Sequence, residues 1–150
     1  MESVLHRSRA GDAMNFGKAV LEVKNENGRV VLYRPLPDVV VAVSEGFITH
    51  DLWTPQVPFY EALHNEVPKL RIFRDASAVR SVEPAYASAS QRFVKVNKEK
   101  YAEILFLQRS AVIALAINTA SLISRAPMSA VGQEAWEKRL AAALQHRQAA

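Results

Sequence analysis

The sequence predicts a single α/β domain in which an N-terminal β-hairpin joins a mixed, largely parallel sheet with about four helices. Three observations carry this expectation. Two apolar-rich runs flank Asn25-Glu26-Asn27-Gly28, and an Asn-Gly pair supplies the positive φ angles of a tight hairpin. Residues 101–124 are apolar and almost uncharged, which indicates a buried strand running into a buried helix. Strand-to-helix units also repeat along the second two-thirds of the chain, an order that gives parallel strands with right-handed crossovers.

The chain divides into an arm over residues 1–17 and a domain over residues 18–150. The arm mixes charges with Gly11 and Gly17 and shows no hydrophobic periodicity, so we expect it to be flexible. The hairpin strands cover 19–24 and 29–34, and a valine-rich central strand follows at 38–44 and continues past Gly46. Prolines and helix caps then mark alternating elements. These are a helix from about 54 to 67, a strand at 69–75, a helix at 83–97, a strand at 101–107, a helix at 110–124, a strand at 128–131 and a helix at 133–146.

Composition excludes several classes of protein. The chain has 150 residues, a net charge of +4 and no cysteine, so disulfides, thiolate metal sites and cysteine nucleophiles are absent, as suits a reducing cytoplasm. No signal peptide or membrane-spanning segment is recognisable. The basic residues are scattered among acidic ones, which argues against nucleic-acid binding. The histidines lack metal-ligand spacing, and we expect neither a metal nor a cofactor.

Three short segments resemble the STAS domain, the fold of bacterial anti-sigma-factor antagonists, and its divergent STAS-like relatives. They are 44–49 (SEGFIT), 73–77 (FRDAS) and 107–110 (LQRS), with Asn118 further on. The resemblance covers roughly residues 19–144 and rests mainly on the order of elements. It implies a non-enzymatic regulatory module of bacterial signalling that docks a protein partner, such as a kinase, a sensor or a sigma-system protein.

The resemblance also implies where a phosphorylation switch would lie. In the antagonists a serine is modified in an Asp-Ser-Ser/Thr-Gly-like loop, at the start of the helix after the second parallel strand. Here that region, Asp75 to Ser81, has no adjacent serines and no glycine. Ser77 and Ser81 are therefore candidates by position alone.

The candidate binding residues cluster at the expected carboxyl edge of the sheet, where ligands of α/β folds bind. At Arg109-Ser110, a guanidinium and the free N–H groups of a helix start could hold a carboxylate or phosphate, although simple capping by the serine beside a surface arginine is the preferred interpretation. Asn118, inside the apolar helix, either bonds a neighbouring loop or faces a cleft or partner. The full candidate set is Thr49, His50, Asp75, Ser77, Ser81, Arg109 and Ser110.

Two alternatives to a docking module remain open. His50, Asp75 and Arg109 could share a polar crevice that binds a small ligand or supports hydrolysis, although the sequence contains no nucleophile elbow, phosphate loop or zinc-protease motif. The chain could also form a homodimer through an exposed face of its sheet or its last helix. We expect no catalytic residue, no membrane partner and no nucleic-acid partner.

Overall fold

The computed structural model describes residues 3–7 and 13–149, and within them seven strands lie in one sheet in the order of the sequence. The strands are β1 (Ser3–Arg7), β2 (Ala13–Lys24), β3 (Gly28–Leu36), β4 (Val39–Ile48), β5 (Leu70–Val82), β6 (Tyr101–Leu107) and β7 (Met128–Val131). The helices are α1 (Val57–Glu66), α2 (Pro84–Val96), α3 (Ala111–Ser124) and α4 (Gln133–Ala149). Short 3₁₀ turns precede α1 and β6.

The sheet is mixed, as the sequence predicts. β1 to β4 pair antiparallel in succession, and β4 to β7 pair parallel. The predicted hairpin is present, with Asn25 N donating to Gly28 O (3.1 Å). The expected positive φ angles at Asn27-Gly28 are absent, and Asn25 Oδ1 instead closes the turn by accepting from the backbone N–H groups of Asn27 and Gly28. Each parallel connection contains one of α1 to α3, because the chain must return to the end of the sheet where the previous strand began before it can form another parallel strand.

Hydrophobic cores lie on both faces of the sheet. On the first, face A, α1 and α2 cover the sheet with Tyr60, Leu63, Tyr86 and Val94. On the second, face B, α4 packs Trp136 and Leu140 against side chains that alternate with those of face A, including Phe73 and Leu105. Trp136 is fully buried, and its indole Nε1 donates to Leu105 O at 3.1 Å. The polar group of this large side chain therefore has a hydrogen-bond partner inside the core.

β5 is longer than the sequence predicts. We expected the strand to end at Asp75, whereas it continues to Val82 alongside the second half of β4. Two register shifts in this pairing, one after Val43 and one after Gly46, each give β5 one more residue than β4. β-Bulges of this kind reset the alternation of a strand, and the second half of β5 therefore keeps apolar side chains on face A.

A close approach of two glycines allows β4 to reach this length. Gly46 has φ of +80° and pairs with Gly28 of β3, and a Cβ on Gly46 would lie 2.6 Å from Asn27 O. A Cβ on Gly28 would collide with the backbone oxygen of Phe47. Only glycine at both positions lets the hairpin loop and the end of β4 lie this close.

The expectation of a loose arm over residues 1–17 is not met in the described part of that segment. Ser3–Arg7 and the start of β2 form an antiparallel strand pair, with Leu5 opposite Asn15 and Arg7 opposite Ala13. Backbone pairing requires no hydrophobic periodicity, which is why the pattern of side chains did not reveal it. Residues 8–12 of the expected arm lie outside the described residues.

The expectation of a buried helix at 110–124 is wrong. α3 lies along β7, a strand of four residues at the edge of the sheet, so most of its surface has no neighbour in the described structure. Five large apolar side chains on it are exposed: Val112, Ile113, Leu115, Leu122 and Ile123. No helix within the described residues is both long and apolar enough to cross a membrane.

Polar side chains attach α3 to the rest of the fold. Asn118 Oδ1 accepts from the backbone N–H of Ala130 in β7 at 2.9 Å, which satisfies a donor on the edge strand. Ser121 Oγ donates to Ala126 O at 2.6 Å. Of the two alternatives for Asn118, the bond to neighbouring backbone is the one that forms.

Gly46→Ala should destabilise the protein, because the new Cβ meets Asn27 O and the backbone keeps a positive φ. We expect a loss of about 1–3 kcal/mol in the free energy of unfolding, measured by urea denaturation. Gly132→Ala is the matched control, since a Cβ there has nothing within 4 Å, and it should change stability by less than about 0.5 kcal/mol. Equal effects would contradict the close approach.

His64 should make stability depend on pH. Burial in the core, with a further contribution from Lys100, lowers the pKa of His64 below its ordinary value, and Glu61 only partly opposes this. The folded state therefore binds the proton less readily than the unfolded state, and stability falls as pH drops below about 6.5, the pKa of a free histidine.

Thermal denaturation at a series of pH values checks this. His64→Gln, whose amide can still hydrogen-bond the hydroxyl of Tyr101 but cannot titrate, should lose less stability on acidification than the wild type. The exposed residue His50, changed to glutamine, is the control and should keep the wild-type slope. If His64→Gln also keeps it, the core histidine does not contribute to the pH dependence.

Candidate functional site

A cavity of about 250 Å³ lies on face A, between the sheet and the helices α2 and α3. Its walls are mostly apolar, and a few polar side chains reach it. The apolar contacts include Ile48, Val79, Val82, Phe106, Ile117 and Met128. The polar ones are Ser44, Arg74, Tyr86, Ser90, Gln91 and Gln108. Such a combination of apolar walls and few polar groups is typical of ligand sites.

The bulges of β5 and the small residues of two helices produce this cavity. With the bulges, Arg74, Ala76, Val79 and Val82 all line it, although strict alternation would place Val79 on the opposite face from the other three. On the helix side, Ala87 of α2 and Ala116 of α3 are among the lining residues. Side chains this short leave space between the helices and the sheet.

Arg74 is the charged group of the site. Its guanidinium carbon lies 5.7 Å from the ring centre of Tyr60 and 5.8 Å from that of Phe106, so it interacts with the faces of two aromatic rings. Its Nη2 donates to Tyr60 Oη over a long 3.4 Å. Among the ion pairs of the described residues, none joins Arg74 to a carboxylate.

The surroundings keep Arg74 charged. Burial acts to lower the pKa of Arg74, but the oxygens of Tyr60, Tyr86 and Tyr101 outweigh it and raise the pKa above its ordinary value. Burial also raises the pKa of Tyr60 and of Tyr101, so both stay neutral at physiological pH. A guanidinium has donors only and does not act as a base. The group can therefore bind and orient a negatively charged or hydrogen-bond-accepting ligand.

Of the predicted site residues, Thr49 and His50 lie beside the hairpin loop. Thr49 Oγ1 accepts from Asn25 Nδ2 at 2.8 Å and donates to Asp51 Oδ1 at 2.5 Å. Asn25 Nδ2 also donates to Asp51 Oδ2 at 2.9 Å, and the bonds that Asp51 accepts from Thr49 and from Asn25 lower its pKa. His50 is exposed, and its backbone N–H donates to Glu83 Oε1 at 3.4 Å. Both residues thus tie the end of β4 to neighbouring loops.

Ser77 and Ser81 lie within β5 and not at a helix start. Asp75 is buried, and its Oδ1 accepts from both the backbone N–H (2.9 Å) and the hydroxyl (2.6 Å) of Ser77. Ser81 pairs with Phe47 of β4, and α2 begins only at Pro84. The expected loop became strand because β4 continues past Gly46 and offers it a pairing partner.

Arg109 and Ser110 stand where the sequence places them, at the start of α3. Ser110 Oγ accepts from the backbone N–H of Ile113 at 3.3 Å, which confirms the predicted helix cap. Arg109 is exposed beside it.

The polar crevice of His50, Asp75 and Arg109 does not assemble. Asp75 is opposite Leu107, two residues before Arg109, but His50 follows Ile48, which pairs with Val82. Between the pairing of Val43 with Asp75 and the pairing of Ile48 with Val82, β4 advances by five residues, about 17 Å at roughly 3.3 Å per residue. The crevice therefore offers no common site to a small ligand.

The sequence did not single out Arg74 as a candidate site residue, although its position in the alternation of β5 carried a signal. Arg74 follows Leu70 and Ile72 at spacing 2, so it occupies a position that alternation assigns to the buried face of a strand. A charged residue in that phase is rare without a partner or a role. The partner side chains come from distant segments, and only the fold brings them together.

Comparison with known proteins identifies the fold. No family model matches the chain, and no curated protein matches it. Among solved structures, the chain is similar to an uncharacterized protein of the DUF3478 family from Shewanella loihica PV-4, described as having a SpoIIAA-like fold. The TM-score is 0.56 at 11% identity, over 76% of this chain and 90% of that one. The chain therefore has the SpoIIAA-like, or STAS-like, α/β fold that its sequence indicates.

Arg74→Met tests whether the half-buried guanidinium of Arg74 contributes to stability. Since Arg74 has no carboxylate partner among the described residues, an apolar side chain of similar length should keep the free energy of unfolding within about 1 kcal/mol of wild type. Arg74→Ala, which enlarges the cavity, should lower it by about 2 kcal/mol or more. Urea denaturation measures both. A large loss in Arg74→Met would instead make the guanidinium a structural group.

Proposed function

We propose that the protein is a non-enzymatic regulatory module that docks a partner protein through the outer face of α3. We define this face by Val112, Leu115, Thr119, Leu122 and Ile123, which follow one another at helical spacing. The observation that carries the proposal is the orientation of the helix. The large apolar side chains of this face point outward, whereas Asn118 and Ser121 point toward the protein and bond its backbone.

In an isolated domain this orientation leaves large apolar side chains in contact with water, which is unfavourable. Val112 is 78% exposed and Leu122 is 82% exposed, and α3 contains no charged residue. Burying a side chain of this kind contributes roughly 1.5–3 kcal/mol. A partner that covers four of them gains several kilocalories per mole, and contiguous exposed apolar surface is typical of interaction sites.

Basic side chains border the face. Arg109 precedes the helix and Arg125 ends it in a left-handed conformation. Arg92 and Lys95 of α2 line a groove together with Ile123. The matching surface on the partner is an apolar groove with an acidic rim, in which α3 lies as a helix in a groove.

The resemblance to STAS domains supports the choice of a protein as the partner, and a kinase, sensor or sigma-system protein of a bacterial cytoplasm is the class it implies. Arg109 and Ser110, candidates from the sequence, stand at the first end of the docking face. Ser77 and Ser81 lie in the sheet, so we do not include phosphorylation there in the proposal.

Val112→Glu should weaken docking, because a carboxylate would have to enter an apolar groove next to acidic groups. A photo-reactive amino acid at position 115 captures the partner in host cells, and calorimetry with the purified partner then measures affinity. We expect a loss of about tenfold or more, and a similar loss for Arg109→Glu.

Val96→Glu is the matched control, since Val96 of α2 is also 78% exposed, and it should change affinity by less than about twofold. Equal loss in both valine variants, or no loss in either, contradicts docking through α3. Binding of the wild type to anionic vesicles but to no protein would replace the proposed partner by a membrane surface, and dimerisation abolished by Val112→Glu would replace it by a second copy.

A further inference from the structure

The cavity on face A is lined by the half-buried guanidinium of Arg74, and no ion pair among the described residues joins it to a carboxylate. Removing a charge from water costs several kcal/mol unless a partner compensates. Two aromatic rings and tyrosine oxygens compensate Arg74 in part. An anion in the cavity would complete the pairing.

We propose that the cavity binds a small amphipathic monocarboxylate, whose carboxylate pairs with Arg74 and whose hydrocarbon chain lies along the apolar wall. This site goes beyond the docking function and does not use the outer face of α3. The planar guanidinium presents parallel N–H donors that match the two oxygens of a carboxylate. One guanidinium balances one negative charge, which favours a carboxylate over a phosphate dianion.

Tyr86 can add a second hydrogen bond. Tyr86 lines the cavity, and its hydroxyl accepts from Gln56 Nε2 at 3.1 Å. The same hydroxyl lies within hydrogen-bond reach of Arg74. A tyrosine hydroxyl that accepts one bond still has its own proton to donate. Arg74 and Tyr86 therefore offer donors at the same end of the cavity.

The rest of the cavity suits a hydrocarbon chain. Val79 and Val82 of β5, Ile113 and Ile117 of α3 and Met128 present carbon and sulfur atoms to it. A cavity of 150 Å³ lined by such groups holds benzene, so by proportion one of 250 Å³ has room for about ten non-hydrogen atoms. Octanoate has that size and serves as the probe.

Octanamide is the matched neutral ligand, because it has the same number of non-hydrogen atoms and no charge. Calorimetry at neutral pH should show octanoate binding wild type about tenfold or more tightly than octanamide. Acetate, which lacks the chain, should bind at least about tenfold more weakly than octanoate. Methyl NMR shifts should change at Val79, Ile113, Ile117 and Met128 rather than at Leu115 and Leu122.

Arg74→Met should weaken octanoate about tenfold or more and leave octanamide within about threefold. Arg71→Met is the control, since Arg71 is on the same strand but pairs with Glu103 outside the cavity, and it should bind octanoate as wild type does. Urea denaturation establishes that Arg74→Met is folded. If it is not, Tyr86→Phe replaces it, with octanoate weakened and octanamide unchanged.

Equal affinity for octanoate and octanamide, or an unchanged octanoate affinity in the folded Arg74→Met variant, overturns the carboxylate site. So does the absence of saturable binding up to about 10 mM octanoate. Shifts confined to the outer face of α3 also overturn it, because they would place the probe on the docking face.

Discussion

The parallel pairing of β4 with β5 is the interaction on which the rest of the structure depends. It joins the antiparallel half of the sheet to the parallel half, and it extends β5 to Val82. That extension brings Val79 and Val82 to the cavity and sets the start of α2 at Pro84. On its other side the end of β4 packs against the hairpin loop, where a side chain on Gly28 or Gly46 would collide with backbone atoms.

α3 has two different surfaces, one that lines the proposed ligand cavity and one that is the proposed docking face. Toward the protein it presents Ile113 and Ile117 to the cavity and Asn118 to the edge of β7. Away from the protein it presents an uncharged apolar stripe. Because β7 has only four residues, the helix rests on a narrow support, and both the cavity and the docking face result from that limited contact.

Local signals in the sequence predicted most elements of the fold well. The hairpin lies at the predicted loop, Pro84 opens α2, Ser110 caps α3, and β7 has its expected bounds, because turns and caps depend on residues close in the chain. The hairpin turn is closed by the Asn25 side chain and not by positive φ angles at Asn27-Gly28. The end of β5 was wrong because a strand can continue wherever a neighbour offers hydrogen bonds, and β4 supplies them from more than thirty residues away. Among the candidate site residues, Ser110 caps α3 as predicted. The crevice of His50, Asp75 and Arg109 does not form, because the pairing of β4 with the extended β5 places His50 far from Asp75.

By itself the sequence determined the alternation of elements and, through it, the STAS-like α/β fold, since apolar periodicity, prolines and caps act within a few residues. Tertiary structure alone decided which apolar residues are buried. The composition of an uncharged helix does not reveal whether the helix packs over the centre of the sheet or along its edge. Here α3 lies along the short edge strand β7, so most of its apolar side chains are exposed. Tertiary structure also decided the surroundings of Arg74, because Tyr60, Tyr86 and Phe106 come from three separate elements that meet only when the sheet and its helices have packed.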